Sequence, residues 1–318
     1  PFCHAGHILG AASPSIRFVG TGRRAVFSGD LGRDDHPLLV APDPIGAAAE
    51  VTDGTDGADN PADLVVCETT YGDRDAPEVD VAATLADVVT SAARRGGVVV
   101  VPAFAVDRTE MMLHHLDALV RVGRIPSVPV FVDSPMASAA LQVYRAAAAS
   151  GDPELRPSVH GADLFGDLDL TEIRTVDESK QLNARHGPFV LISASGMATG
   201  GRVLHHLANR MGDSRNVILL VGFQAPGTRG ARLAAGETTI KLLGAERDVA
   251  AEVVVVPLSA HADRSDLAAW LRSGPPPRRV VLTHGETEAA ASFAEVVARD
   301  AVTDVRVADL GDRIVLAG

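Results

Sequence analysis

The sequence predicts an α/β fold built on largely parallel sheets. Several short apolar runs are apolar throughout instead of alternating, which suits strands that are covered on both faces. Segments with helical periodicity lie between many of these runs, and this strand–helix alternation is typical of parallel sheets. The 318 residues allow one large domain or two of ordinary size, and a hydrophobic content of 46% is enough for a globular core.

The predicted elements follow the chain from its first apolar run. Each strand is a short apolar run ended by small or acidic residues, and each helix repeats apolar residues at helical spacing. The predicted strands are 24–28, 63–67, 98–101, 129–132, 189–192, 217–221, 253–257 and 280–283. The predicted helices are 82–93, 108–122, 137–149, 201–210, 264–271 and 286–298. Residues 304–308 and 313–316 flank Gly311 and predict a closing hairpin.

The net charge of −12 is concentrated in one stretch of the chain. Residues 34–87 carry fourteen acids and one base, a net charge of −13, so the remainder of the chain carries +1. Within that stretch, residues 41–62 are rich in Gly, Asp, Asn and Pro and predict a solvated surface loop. The overall charge argues against a basic protein that coats nucleic acid. Because the negative charge is confined to one stretch, however, it does not exclude RNA as a partner.

Composition also bears on the compartment. No apolar run approaches the roughly 20 residues of a membrane span, and no charged-then-apolar signal peptide opens the chain. Cys3 and Cys67 are too few for a disulfide framework, which fits a reducing compartment. We therefore expect a cytoplasmic protein with no membrane partner.

Histidine or an acid stands at the end of five apolar runs, where a strand would lead into a loop. Active residues of α/β proteins favour strand ends, although a single histidine there is usually structural. Imidazole nitrogens and carboxylate oxygens are ligands that zinc prefers when no thiolate is offered, and an aspartate can bridge two metals about 3.5–4 Å apart. The five motifs are AGHILG with His7, FSGD with Asp30, ETTYG with Glu68, SAHAD with His261 and THGE with His284.

The order of these motifs resembles the metallo-β-lactamase-fold nucleases of the β-CASP group, and most closely the branch containing the pre-mRNA 3′-end endonuclease and its bacterial and archaeal relatives. The segments VPAFAVDRTE, VFVDSPMA, SASGMATGGRVLHHL and VGFQAPGTRGARL agree too, so the resemblance covers nearly the whole chain. It implies a metallo-β-lactamase αββα sandwich, incomplete at the N-terminus, with an inserted α/β β-CASP domain. The implied limits are 1–76 and 237–318 for the lactamase part and 77–236 for the insertion.

The resemblance implies a role for each of the five residues. His7 matches a ligand of one zinc, His284 matches a ligand of the second zinc, and Asp30 matches the aspartate that bridges both. His261 matches the general acid for the leaving oxygen, and Glu68 matches the carboxylate that orients it. Relatives that cut DNA typically carry valine at the position of His284, so histidine here favours RNA.

The activity implied by the resemblance is that of a zinc-dependent RNA phosphodiesterase. It would be an endoribonuclease, with 5′-exonuclease activity as an additional mode, and would use two zinc ions to activate water. Two alternatives remain: a non-catalytic RNA-binding or scaffold subunit, and a small-molecule hydrolase on the same sandwich. The inserted segment with its SASGMATGG and VDSPMA motifs argues against the hydrolase. A homodimer is left open by analogy alone.

The motif SASGMATGG follows a predicted strand and precedes a predicted helix. Small residues there let backbone N–H groups approach a phosphate at the helix N-terminus, although a tight turn without a ligand has the same composition. The resemblance implies that Ser195 and Gly196 contact the RNA backbone. Arg108 and Arg202 lie near the starts of predicted helices. For each of them, binding of a phosphate and formation of a structural ion pair remain alternative functions. Asp107 stands where relatives often carry glycine.

One departure from the family pattern concerns the metal ligands. The family's His-x-His-x-Asp-His loop and an earlier aspartate precede AGHILG, and they supply two ligands to each zinc. This chain begins at Pro1 and retains His7 and Asp30 for one zinc, and Asp30 and His284 for the other. Catalytic zinc sites normally use three protein ligands. We therefore expect an N-terminally truncated version of a longer enzyme, inactive by itself; the alternative, natural loss of the metals, does not explain why all five motif residues are present.

Overall fold

The computed structural model describes residues 1–45, 47, 61–300 and 304–316. Most of the predicted acidic loop at residues 41–62 lies outside the described residues. The chain divides into two compact units, which are Pro1–Ala76 with Pro153–Arg156 and Ala260–Gly318 (unit 1), and Pro77–Asp152 with Pro157–Ser259 (unit 2). The domain limits expected from the family resemblance remain a prediction.

The secondary structure confirms the predicted α/β class. The strands are β1 (Phe2–His4), β2 (Ala12–Phe18), β3 (Arg23–Phe27), β4 (Leu64–Glu68), β5 (Val98–Pro102), β6 (Val130–Val132), β7 (Leu170–Glu172), β8 (Phe189–Ser193), β9 (Val217–Val221), β10 (Thr239–Leu242), β11 (Ala245–Asp248), β12 (Glu252–Val256), β13 (Arg279–Thr283) and β14 (Asp304–Val307). The helices are α1 (Val81–Arg94), α2 (Arg108–Arg121), α3 (Pro135–Ser150), α4 (Val176–Ala184), α5 (Val203–Arg210), α6 (Arg229–Ala234), α7 (Arg264–Leu271) and α8 (Thr287–Arg299). No helix among the described residues has the length and apolar character needed to cross a bilayer.

Unit 1 is built on a mixed sheet with the order β1–β2–β3–β4–β13–β14. The pairs β1–β2 and β2–β3 are antiparallel, whereas β3, β4, β13 and β14 pair in parallel. Because neighbouring parallel strands end at the same edge of a sheet, β3, β4 and β13 deliver their following residues to one place. Three of the five predicted site residues lie at or just beyond those strand ends.

The two faces of the unit 1 sheet are covered unequally. Helices α7 and α8 supply Trp270 and Phe293 to a core that includes Val65 and Leu282 of the sheet. The alternate residues of the same strands form only a small cluster of Ala25, Leu64 and Val281, against which Phe27, Val66, Ala308 and Leu316 pack while partly buried. Among the described residues of unit 1, the larger buried apolar cluster therefore lies on the face that α7 and α8 cover.

Unit 2 is built on a parallel sheet with the order β12–β9–β5–β8–β6–β7, and β10 pairs with β11 as an antiparallel hairpin. Val98 and Val100 of β5 join a core with Leu207 of α5. Their neighbours Val99 and Val101 are equally buried, and α1 packs against β5 and α2. The apolar-throughout runs thus correspond to doubly covered strands, as the sequence predicts.

The structure adds several elements that periodicity does not predict and corrects one prediction. The added elements are β1, β2, β7, β10, β11, α4 and α6. The predicted closing hairpin is wrong, because β14 pairs in parallel with β13 and residues 313–316 are not a strand. β14 forms its hydrogen bonds with the parallel strand β13, and not with residues 313–316 across the turn at Gly311, as a hairpin would require.

The core of unit 1 yields a stability prediction. Phe293 is fully buried, whereas Phe2 in β1 is 78% exposed. We expect Phe293→Ala to lower the free energy of unfolding by about 3–5 kcal/mol through lost burial and a residual cavity. Phe2→Ala is the matched control and should change it by less than about 1 kcal/mol. Urea denaturation followed by circular dichroism measures both, and equal effects would contradict the assignment of this core.

Candidate active site

The structure brings all five predicted site residues of unit 1 together. Asp30 lies just after β3, Glu68 ends β4 and His284 follows β13 directly. His7 lies in the loop between β1 and β2, and His261 precedes α7. The ring centroids of His7 and His261 are 4.2 Å apart, and those of His261 and His284 are 5.9 Å apart. Residues spread over more than 270 positions of the chain thus share one edge of the sheet.

Close backbone packing holds the loop of His7 against the loop of Asp30. Gly6 and Leu31 form an isolated β-bridge, and the Gly32 N–H donates to the Ala5 carbonyl over 2.7 Å. A Cβ atom added at Gly32 would lie 1.9 Å from the Gly6 carbonyl oxygen. Only glycine permits this approach, so the second glycine of the FSGDLGR motif, Gly32, is required for steric reasons.

Asp30 lies between two histidines and offers one carboxylate oxygen to each. His284 Nδ1 is 3.3 Å from Asp30 Oδ1, and His7 Nε2 is 4.0 Å from Asp30 Oδ2. Two ligand atoms of one tetrahedral zinc lie about 3.4 Å apart, given metal–ligand distances near 2.1 Å. The spacing and the nitrogen and oxygen donors therefore fit the two-metal arrangement that the family resemblance implies.

A second donor grouping includes His261. His7, Asp30 and His261 each offer one ligand atom, and these atoms all lie within 4.8 Å of one another. The same imidazole is also engaged by Glu68, because His261 Nδ1 is 3.1 Å from Glu68 Oε1. Geometry alone thus leaves two functions open to His261, metal ligation and proton transfer.

The Glu68 carboxylate is the most heavily hydrogen-bonded group of the site. Its Oε1 accepts from the Leu31 N–H over 2.6 Å, and its Oε2 accepts from the Thr70 hydroxyl over 2.5 Å and the Thr70 N–H over 3.2 Å. Burial by itself would raise the pKa of this carboxyl, but hydrogen bonds from His261 and Thr70 and the nearby imidazole of His284, 4.0 Å away, outweigh burial and hold the pKa at about 2. Glu68 is therefore an anion at neutral pH, and it accepts hydrogen bonds only.

Backbone geometry places His261 and His284. Two residues after His261, Asp263 caps α7, and its side chain and that of Asp266 form a reciprocal capping box. His284 has a left-handed φ of +53°, which turns the chain immediately after β13. The interaction with Glu68 raises the pKa of His284 above the ordinary histidine value, against the opposing effect of its burial. A proton and a metal ion would therefore compete for this imidazole.

Sequence reasoning missed the residues that support Glu68. Thr70 lies two positions after Glu68, and its hydroxyl is also 3.4 Å from His284 Nδ1. The Ser28 hydroxyl accepts from the Glu68 N–H over 2.9 Å. Thr70 of ETTYG was a usable signal, because a buried carboxylate needs hydrogen-bond donors and a hydroxyl two residues away can supply one.

Ser195 and Gly196 lie in the unit 2 loop between β8 and α5 (residues 194–202, the β8–α5 loop). The Ser195 hydroxyl accepts from the Thr199 N–H over 3.1 Å and the Gly200 N–H over 3.4 Å, so it closes the loop on itself. A Cβ atom at Gly196 would lie 2.9–3.0 Å from Phe104. Both residues have an observed structural role, and their contact with RNA remains a prediction.

Arg108 and Arg202 each form an ion pair. Arg108 is buried, and its Nη1 donates to Asp107 Oδ2 over 3.2 Å. Asp107 has a φ of +69°, a backbone conformation that favours the glycine expected at this position from the family resemblance. Arg202 Nη1 donates to Asp133 Oδ1 over 2.6 Å, while its side chain stays 23% exposed. The phosphate contact predicted for either arginine stays a prediction.

Two family models match the chain between residue 109 and residue 308. The Beta-Casp domain matches residues 109–233, and the Zn-dependent metallo-hydrolase RNA specificity domain matches residues 246–308. The second match includes His261 and His284, and the first includes the β8–α5 loop. Both matches agree with the motifs from which the family resemblance was drawn.

Similar proteins extend the comparison to 93% of the chain. Ribonuclease TTHA0252 of Thermus thermophilus is 34% identical and is covered over 65% of its length. The RNase J-like protein of Methanocaldococcus jannaschii is 29% identical and covered over 66%, and transcription termination factor FttA of Methanosarcina mazei is 30% identical and covered over 46%. The chain thus spans less than two thirds of the length of each.

The contact between Gly6 and Gly32 yields a prediction for the site. We expect Gly32→Ala to lower the free energy of unfolding by about 1–3 kcal/mol, because the added methyl group would separate the loops of His7 and Asp30. Gly20→Ala is the matched control, since a Cβ atom added at Gly20 would meet no atom of the described residues within 4 Å. Urea denaturation measures stability, and competition with a chromophoric chelator measures zinc affinity. Unchanged stability and zinc affinity in Gly32→Ala would contradict this account.

Proposed function

Because this chain belongs to the β-CASP family of metallo-β-lactamase-fold proteins, we propose that it forms the larger part of a zinc-dependent ribonuclease. The reaction is hydrolysis of an RNA phosphodiester, endonucleolytic, with 5′-exonuclease cleavage as an additional mode. The chain spans less than two thirds of its relatives, so the activity is proposed for the whole protein that contains it.

One observation carries the proposal. The two carboxylate oxygens of Asp30 face different histidines, His7 at 4.0 Å and His284 at 3.3 Å. An aspartate in this position suits a bridging ligand between two ions, which is the arrangement used for attack on phosphate esters. Two zinc ions held there would supply Lewis-acid activation of the attacking water. His7 and His284 would each bind one ion, and Asp30 would bind both.

His261 is the proposed general acid, and Glu68 is the residue that orients it. Glu68 engages Nδ1, so the proton for the departing 3′ oxygen would come from Nε2. Because Glu68 is an anion that also accepts from the Leu31 N–H, the imidazole is tied to the backbone adjacent to Asp30. This linkage keeps the proton donor and the bridging carboxylate in a fixed relation, which favours proton transfer during bond cleavage.

Three observations support RNA as the substrate. Two of the similar proteins are named ribonuclease and RNase J-like protein, and a matched model is named for RNA specificity. The family resemblance adds that DNA-cutting relatives typically carry valine at the position of His284. The β8–α5 loop closes at the N-terminus of α5, a place that suits a backbone phosphate held by Ser195, Gly196 and Arg202. Arg108 is the fourth proposed contact.

The cellular setting that we propose is the cytoplasm. Both cysteines are free thiols, which suits a reducing cytoplasm. A homodimer remains a prediction by analogy with the family.

His261→Ala separates proton transfer from metal ligation. In the whole protein we expect RNA cleavage to fall by about 10²–10⁴-fold, the usual contribution of a general acid. Zinc content should stay at the wild-type value, measured by inductively coupled plasma mass spectrometry. Unchanged cleavage would refute the acid function. A loss of bound zinc would instead identify His261 as a ligand.

The metal assignment is tested by zinc stoichiometry. We expect His7→Ala and His284→Ala each to remove about one zinc ion per chain, and Asp30→Asn to weaken both sites, because bridging needs two anionic oxygens. Asp35→Asn is the control, since Asp35 lies five residues further along the same loop, where its exposed carboxylate pairs with Arg33. Equal zinc content in Asp30→Asn and Asp35→Asn would overturn the bridging function.

A further inference from the structure

A fully buried carboxylate, Asp133, lies directly after β6 in unit 2 and is not among the proposed catalytic or substrate-binding residues. Three side chains donate to it: Arg202 Nη1 over 2.6 Å, His206 Nε2 over 2.6 Å and Ser179 Oγ over 2.5 Å. The side chains of Asp133 and His206 have no exposed surface. A buried carboxylate is tolerated only when it is hydrogen-bonded in this way, so the arrangement is specific.

Asp133 is also fixed by its own backbone. Its N–H donates to the Ile192 carbonyl over 2.8 Å, and its carbonyl accepts from the Ser193 hydroxyl over 2.9 Å. Ile192 and Ser193 are the last residues of β8, immediately before the β8–α5 loop. These two hydrogen bonds fix the position of the Asp133 carboxylate next to the end of β8, where the β8–α5 loop begins.

Two of the three donors belong to the start of α5. Arg202 is the N-cap residue and His206 lies one turn later, so both face the same side of the helix. Arg202 Nη2 also donates to the Arg174 carbonyl over 3.3 Å, and His206 Nδ1 lies 2.9 Å from Asn183 Oδ1. Asp133 thus sets both the rotation of the first turn of α5 and the direction of the Arg202 guanidinium.

The middle of the β8–α5 loop is anchored separately. The carbonyls of Gly196, Met197, Ala198 and Thr199 accept hydrogen bonds from residues 224–230, through Gln224 Nε2, the Gly230 N–H and Arg229 Nη1. Four successive carbonyls are therefore turned toward that one segment. The loop is held along its middle by residues 224–230 and at its end by Asp133.

The charge state of Asp133 supports a positioning function. Burial would raise the pKa of this carboxyl, but hydrogen bonds from His206, Ser179 and Arg202 hold it below the ordinary aspartate range. Arg202 stays 23% exposed while its Nη1 is engaged. Its Nη2 also donates to the Arg174 carbonyl, so the guanidinium is already held in place and loses less conformational freedom when its remaining N–H groups bind phosphate.

We propose that Asp133 is a positioning residue for RNA, which acts through Arg202 and His206 to present the Arg202 guanidinium and the start of α5 to a backbone phosphate. The proposal rests on the proposed function, because it takes the RNA contact at this loop as given. Asp133 itself touches no substrate.

The test is a double-mutant cycle on RNA affinity. Equilibrium binding of a single-stranded RNA oligonucleotide is measured with metal chelated, so that no cleavage occurs, for wild type, Arg202→Ala, Asp133→Asn and the double variant. We expect each single variant to bind about tenfold more weakly, equivalent to about 1.4 kcal/mol. We expect the double variant to bind no more weakly than Arg202→Ala, because both changes remove the same contact.

The salt dependence adds a readout that a purely structural effect would not move. The slope of log K against log salt should fall in magnitude by about 0.7, the value for one phosphate contact on a single strand, in Arg202→Ala and equally in Asp133→Asn. Additive losses, an unchanged slope in Asp133→Asn, or tighter binding by Asp133→Asn would each overturn the proposal. Tighter binding would mean that Asp133 masks Arg202.

Matched variants separate positioning from folding. Glu172→Gln is the matched control. Glu172 of β7 forms an ion pair with Arg145 of α3, with Nη1 and Oε1 2.8 Å apart. Breaking this pair should leave RNA affinity unchanged. If Asp133→Asn does not fold, His206→Asn replaces it in the cycle. We expect His206→Asn to weaken RNA binding by a few fold. The double variant with Arg202→Ala should bind no more weakly than Arg202→Ala alone. Failure of wild type to bind RNA would refute the proposed function, whereas normal binding by the Asp133 or His206 variants would refute only the positioning function.

Discussion

The site of unit 1 depends on one buried anion, Glu68. Its carboxylate accepts hydrogen bonds from the Leu31 backbone and from Thr70 and engages His261, so it joins the ends of β3 and β4 to the segment before α7. Such a group is costly to bury unless every lone pair finds a donor. Because every lone pair must be satisfied, Glu68 fixes His261, the strand ends and the loop of Asp30 together. The residues that we propose as metal ligands owe their positions to this cluster.

Unit 2 repeats the same physical solution with different residues. Asp133, like Glu68, follows or ends a parallel strand, is fully buried and engages a histidine on a helix or loop that comes much later in the chain. In each unit, a buried carboxylate at the end of a strand holds the surrounding polar groups in a fixed arrangement at the edge of the sheet. Parallel sheets favour this, because their strands all present their carboxyl ends on one side.

Much of the fold and the location of the unit 1 site could be predicted from the sequence. The apolar run of β5 and the strand-end residues Asp30 and His284 carry their signal locally, in residue types and spacing. The hairpin of β10 and β11 could not be predicted, because its turn places Leu243, a residue with no turn preference, at a φ of +51°. The Asp133 cluster was missed because its donors lie 46–73 positions away, and no local pattern records a tertiary hydrogen bond.

The positive φ at Asp107 has a consequence for how this chain can change by mutation. Its φ of +69° and ψ of −52° lie outside the left-handed helical region that asparagine and aspartate tolerate, so the backbone by itself favours glycine at this position. The Asp107 carboxylate contacts buried Arg108 and the Tyr144 hydroxyl. Glycine at this position would relax the backbone, but it would take an anionic partner from a buried guanidinium. Backbone conformation and side-chain contacts therefore favour different residues at position 107.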